Sequence, residues 1–150
     1  MAAQAGYLDL EAAPMKIGKV KLKVRDLAGV SAFYQKVLGL KLTSEREGVH
    51  TLGTASQPLL ELGADPALAP RDPRAAGLFH TAFLLPNRAD LARWLIFASE
   101  NRIRIEGASN HIVSEAIYLS DPEGNGIEVY ADRPQSGWRA ASGEIHMATK

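Results

Sequence analysis

The chain repeats itself, and the repeat limits what it can fold into more than any other feature of its 150 residues. Setting Val24-Arg-Asp-Leu27 against Leu85-Pro-Asn-Arg-Ala-Asp-Leu91, with a small insertion, brings Lys19 opposite His80. The same alignment brings Leu60-Glu61-Leu62 opposite Ile127-Glu128-Val129. Each half reads as strand, helix and three strands. Lys16 to Val24 alternates apolar Ile17, Val20, Leu22 and Val24 with charged Lys19, Lys21 and Lys23, which is a strand with one buried face. Asp26 caps a helix carrying Leu27, Val30, Phe33 or Tyr34 and Val37, and Gly39 stops it. Strands are expected near 40–44, 48–53 and 58–63. In the second half a strand over 78–85 leads to a helix capped by Asn87, with Asp90 placed for a capping box and Leu91, Trp94, Leu95 and Ala98 on its apolar stripe. Strands follow over 103–106, 114–120 and 126–131, the last two joined by the turn-rich Asp121-Pro-Glu-Gly-Asn-Gly126.

The expected fold is α+β. Two βαβββ modules, 16–63 and 77–133, form a curved mixed sheet around a cleft with helices on the outer face. A Pro- and Ala-rich linker spans 64–76, an arm precedes at 1–15, and a polar tail follows at 134–150, which Trp138 is expected to pack onto the domain. One half alone is too small to be stable.

Composition narrows function by exclusion. Lys plus Arg and Asp plus Glu number 17 each, so the basic excess of a nucleic-acid binder is missing. With no Cys there are no disulfides, thiolate metal sites or thiol nucleophiles, which is compatible with a reducing cytoplasm, the compartment expected. The first ten residues carry no cationic segment or long apolar run, so no signal peptide is expected, and no apolar run is long enough for a membrane span. The turn at Gly124 to Gly126 lacks a following helix and is not a phosphate loop. His50 and His146 read as solvated loop residues.

Several segments together carry a family resemblance. Lys19-Val-Lys-Leu-Lys-Val-Arg-Asp-Leu27, Ala32-Phe-Tyr34 and Val37-Leu-Gly-Leu40 resemble the opening of the vicinal oxygen chelate proteins: glyoxalases, fosfomycin- and bleomycin-resistance proteins and extradiol dioxygenases. Phe79-His-Thr-Ala-Phe83 and Leu119-Ser-Asp-Pro-Glu-Gly-Asn-Gly-Ile-Glu-Val-Tyr130 resemble the start and end of their second module. Gly77 to Leu91, His111 to Leu119 and Tyr130-Ala-Asp-Arg-Pro134 with Trp138 are similar to the N-terminal half of two-domain catechol 2,3-dioxygenases. In that alignment Lys150 falls about where a connection to a second domain begins.

The resemblance implies a divalent metal, Fe(II) or Mn(II), held at the first and last strands of each module, which here are Lys19, Glu61, His80 and Glu128. A His and two carboxylates suit such a metal and leave positions for a vicinal-oxygen ligand. Lys19 departs from the pattern, because an ammonium has no lone pair. Its expected role is to replace the metal as the cation between Glu61 and Glu128. His111, Tyr118 and Tyr130, with Ser114, are candidates for acid–base or supporting roles, although Tyr118 and Tyr130 also fit simple packing between neighbouring strands. The implied activity is extradiol cleavage of an aromatic diol with a metal and O2, with a glyoxalase-like lyase as runner-up. The alternative is a metal-free small-molecule-binding or structural domain. A small aromatic or vicinal-oxygen ligand and a homodimer are the expected partners, without nucleic acid or membrane.

Overall fold

The computed structural model describes residues 17–139 and 142–149; the arm expected at 1–15 lies outside the described residues. The alternation after Lys19 becomes strand β1 (Val20–Val24), followed by helix α1 (Leu27–Leu38) and strands β2 (Lys41–Arg46), β3 (Val49–Gly53) and β4 (Pro58–Ala64). The same succession returns as β5 (His80–Leu84), α2 (Arg88–Glu100), β6 (Gly107–Asn110), β7 (Ser114–Ser120) and β8 (Gly126–Asp132). A short 3-10 turn covers Gln135–Gly137. Both four-stranded sheets have the same order, β1-β4-β3-β2 and β5-β8-β7-β6, so the first strand of each pairs with the last. The α+β class and the doubled βαβββ pattern are thus the architecture of the protein.

By contacts the described chain forms two compact units, 17–81 with 119–127, and 82–118 with the residues from 128 onward. In the first unit α1 packs on β3 and β4. Val24, Val30, Tyr34, Leu52, Leu60 and Leu62 there are fully buried. Each such apolar side chain stabilises the fold by roughly 1.5–3 kcal/mol. Alternation in β4 then turns Glu61 to the face opposite Leu60 and Leu62. The second unit buries Leu91 and Ala98 of α2 with Ala116, Ile117, Val129 and Ala131.

Local chemistry sets the boundaries. Asp26 accepts from the Gly29 N–H at 2.9 Å and Asn87 from that of Asp90 at 3.0 Å, so both helices start on the caps expected. Gly39 ends α1 at φ 68°, a conformation that favours glycine. The second strand of the second module, β6, differs from expectation: it runs over 107–110 rather than 103–106. Arg102 takes φ 54° and the Ile103 N–H bonds the Ala98 carbonyl, so the residues after α2 still serve its carboxyl end. His50 is a correction of a second kind. It lies on β3 with its side chain 15% exposed, 3.6 Å from Glu45, and is not a solvated loop residue. The tail after Pro134 is anchored: the Trp138 indole donates to the Arg133 carbonyl at 2.7 Å, and Arg139 bridges Ile145.

The turn over 121–125 is held by the buried Asp121. Its carboxylate accepts from the backbone N–H groups of Glu123 and Asn125, both at 2.9 Å, from the Asn125 amide at 2.8 Å and from the buried Tyr34 hydroxyl at 3.4 Å. Glu123 in turn accepts from the N–H groups of Arg25 and Asp26 at the amino end of α1. Asp121→Ala strands several donors and is expected to destabilise by about 3 kcal/mol, whereas Tyr34→Phe removes one donor of four and should lose only about 1 kcal/mol. Urea unfolding of the two variants beside the parent checks both the order and the size of these losses.

Candidate functional site

The strand order β5-β8-β7-β6 makes β7 and β8 neighbours. Their buried residues alternate with half-buried ones, which puts Tyr118 on β7 and Glu128 on β8 within reach of each other. The Tyr118 hydroxyl donates to Glu128 Oε1 at 3.1 Å, and His111 Nε2 stands 2.8 Å from the same hydroxyl. A phenol has one hydrogen, and a carboxylate can only accept. With that hydrogen spent on Glu128, His111 must donate from Nε2. The three groups form one directed chain, His111 to Tyr118 to Glu128. Burial first, then the charge of Glu128 and the hydrogen bond to it, push the Tyr118 hydroxyl up to about 12. Tyr118 is therefore a phenol, not a phenolate, at neutral pH. Tyr130, two residues after Glu128 on β8, is also raised, by burial and then by Asp132 and Glu128. Ser114 contributes its carbonyl, which accepts from the His111 N–H at 2.9 Å and fixes the turn that carries the imidazole.

The first unit places Lys19 and Glu61 together. Parallel pairing of β1 with β4 sets Lys21 level with Glu61 and leaves Lys19 one alternation earlier on the same face. Lys19 Nζ donates to Glu61 Oε2, and Lys21 Nζ lies 3.0 Å from Glu61 Oε1. The two ammonium groups, Lys19 foremost, hold the Glu61 carboxyl below its usual range. Lys19 is thus a partner of Glu61 rather than a plain solvent-facing residue, while the acceptor of the Tyr118 proton is Glu128. His80 opens β5 with its ring 4.8 Å from that of Phe79.

These surroundings do not fit the divalent metal that the resemblance implies. Both oxygens of Glu61 face ammonium groups, which compete with any cation for its lone pairs. Among the described residues no three His, Asp or Glu side chains are grouped so as to hold a metal ion. Lys19 is the counter-charge expected at Glu61, and Lys21 is a second, unexpected one. Lys21 stands in the sequence only as a charge of the first strand's alternation, and nothing in that alternation says that β1 would lie directly against β4.

Comparison with known proteins agrees with the fold. The family model described as Glyoxalase/Bleomycin resistance protein/Dioxygenase superfamily matches residues 16–129. A catechol-2,3-dioxygenase of Bacillus subtilis is 41% identical over 136 residues, which are 89% of this chain and 47% of that protein. A biphenyl-2,3-diol 1,2-dioxygenase of Rhodococcus globerulus is 30% identical over 119 residues, 78% of this chain and 63% of its own length. The chain thus spans about half to two thirds of the relatives it matches. Among solved structures, a glyoxalase/dioxygenase from Nostoc punctiforme superposes with a TM-score of 0.68 at 25% identity, covering 81% of this chain and 96% of that one. Repeat, strand order and family match point the same way: the chain belongs to the glyoxalase/bleomycin resistance protein/dioxygenase superfamily.

Proposed function

We propose that this chain is an extradiol-dioxygenase-type domain whose ligand is a small aromatic vicinal diol, and that its own part in ring cleavage is to hold that diol rather than to house a metal. The names of the two relatives supply the substrate class, a catechol and a biphenyl-2,3-diol. The observation that carries the reading is the directed chain from His111 through Tyr118 to Glu128. It orients the Glu128 carboxylate, and a carboxylate is an acceptor that suits the donor hydroxyls of a diol. Keeping Tyr118 protonated keeps the direction of the chain constant across the neutral range. The metal misfit at Glu61 supports the division of labour, and ring cleavage by the chain itself is the competing reading that the same experiment tests.

Anaerobic calorimetric titration with catechol and with 2,3-dihydroxybiphenyl is expected to show saturable binding, weaker by about tenfold for resorcinol, whose hydroxyls are not vicinal. Tyr118→Phe should weaken catechol binding by about tenfold, the loss of one hydrogen bond to a charged group. No catechol binding would sink the reading, and O2 uptake by this chain with added Fe(II) and catechol would replace it with ring cleavage by the chain alone.

Tyr118 also makes an alkaline prediction. Its folded-state value, about 12, lies above the ordinary 10.0, so between them the native chain keeps a proton that the unfolded chain releases. Stability should therefore fall as pH rises through this window. Phenolate absorbance, taken as the difference between the parent and Tyr118→Phe, should show a midpoint near 12 that moves down in Glu128→Gln.

A further inference from the structure

The face of the first sheet that carries Glu61 is positively charged on balance, and it surrounds a hollow. Lys19, Ser44, Arg46, Val49, Thr51 and Glu61 line a cavity of about 210 Å³. The hairpin register forms it: Thr51 on β3 lies level with Glu61 on β4 and with Ser44 on β2. Gly48, at φ 70°, makes the two-residue turn that sets Arg46 level with Val49. The Lys19 and Arg46 charges exceed that of Glu61 by one, and Lys21 adds a second ammonium at the edge.

Three of these groups are unspent. Among the described residues the Arg46 guanidinium has no hydrogen-bond or ion-pair partner, and neither do the side-chain hydroxyls of Ser44 and Thr51. An arginine fork presents two parallel N–H donors, which match the two oxygens of a carboxylate. Glu61 is already engaged by the two lysines, yet its negative charge remains on the wall of the hollow. That charge disfavours a second anion of high charge more than one of low charge. The size is also restrictive, below the roughly 300–1,000 Å³ of drug-sized pockets.

We propose that this hollow is a binding site for a small monocarboxylate. Arg46 takes the carboxylate as a fork. Lys19 adds charge and an N–H beyond the one it gives Glu61. Ser44 and Thr51 donate from their hydroxyls. The first module has in this way reversed the polarity of a position that the superfamily resemblance assigns to a cation. The site lies within the first unit and does not depend on the diol reading, which rests on residues of the second.

Benzoate is the probe. Calorimetric titration of the whole chain should show one saturable site, with inorganic phosphate binding more weakly and Mn(II) giving no heat of binding. Arg46→Gln, a change at an exposed position that should leave the circular dichroism spectrum intact, is expected to raise the benzoate Kd by about tenfold and leave catechol binding unchanged. Lys36→Gln, on the exposed side of α1, should change neither. Glu61→Gln removes the opposing charge and should tighten benzoate several-fold. Amide chemical shifts of Ser44 and Thr51 should move on titration. The assignment is overturned by absence of benzoate binding, by indifference to Arg46→Gln, by weaker binding in Glu61→Gln, by tighter binding of phosphate, or by Mn(II) competing with benzoate.

Discussion

The pairing of β1 with β4 is the constraint on which the rest of the first module depends. It brings the first strand against the last, so that Val24, Leu60 and Leu62 are buried on one face while Lys19, Lys21 and Glu61 meet on the other. Core and charge are two faces of one register, and a slip by one residue would exchange them. The Glu61 carboxylate on the charged face is met by two ammonium groups that the same strand pairing delivers. In the second module the equivalent position, Glu128, is offset differently, by a phenol hydrogen bond. Two copies of one architecture have thus reached two chemically distinct ways of keeping a glutamate on a sheet face.

Much of this was legible in the sequence because it is local. Helix caps depend on three or four consecutive residues, so Asp26, Asn87 and Gly39 could be read directly. The strand after α2 could not, because Ile103 looks like strand material and its N–H is claimed by the carboxyl end of the helix. His50 was misread because a lone histidine beside a glycine turn resembles a loop residue, whereas the two-residue turn already ends at Gly48. His111, Tyr118 and Glu128 each stood out separately. Their connection was readable in principle: the tight turn at 121–125 makes β7 and β8 an antiparallel pair, and cross-strand neighbours follow from that. The Lys19–Glu61–Lys21 cluster was only half readable, since the pairing that creates it joins residues about 40 positions apart.

The two clusters also differ in how they respond to solvent. Glu61 and its lysines are partly open, so salt screens them and their worth lies in setting the sign of the local potential more than in stability. The His111–Tyr118–Glu128 chain is directional, and its value lies in geometry. Each member restrains the next, so a ligand meeting Glu128 would meet an acceptor already oriented.

The turn at 121–125 bears on how the protein can be dissected. Residues 119–127 belong by contact to the unit formed by 17–81, although they lie some 40 residues beyond it in the chain. Glu123 holds the backbone at the start of α1, and Asp121 holds the Tyr34 hydroxyl. A cut in the Pro-rich segment at 64–76 respects the sequence repeat but not this arrangement. The amino-terminal fragment would leave behind two acceptors that its helix uses, the Glu123 and Asp121 carboxylates. The repeat unit in the sequence and the cooperative unit in space are therefore different objects, and a fragment designed from the repeat alone would begin with its first helix unlatched.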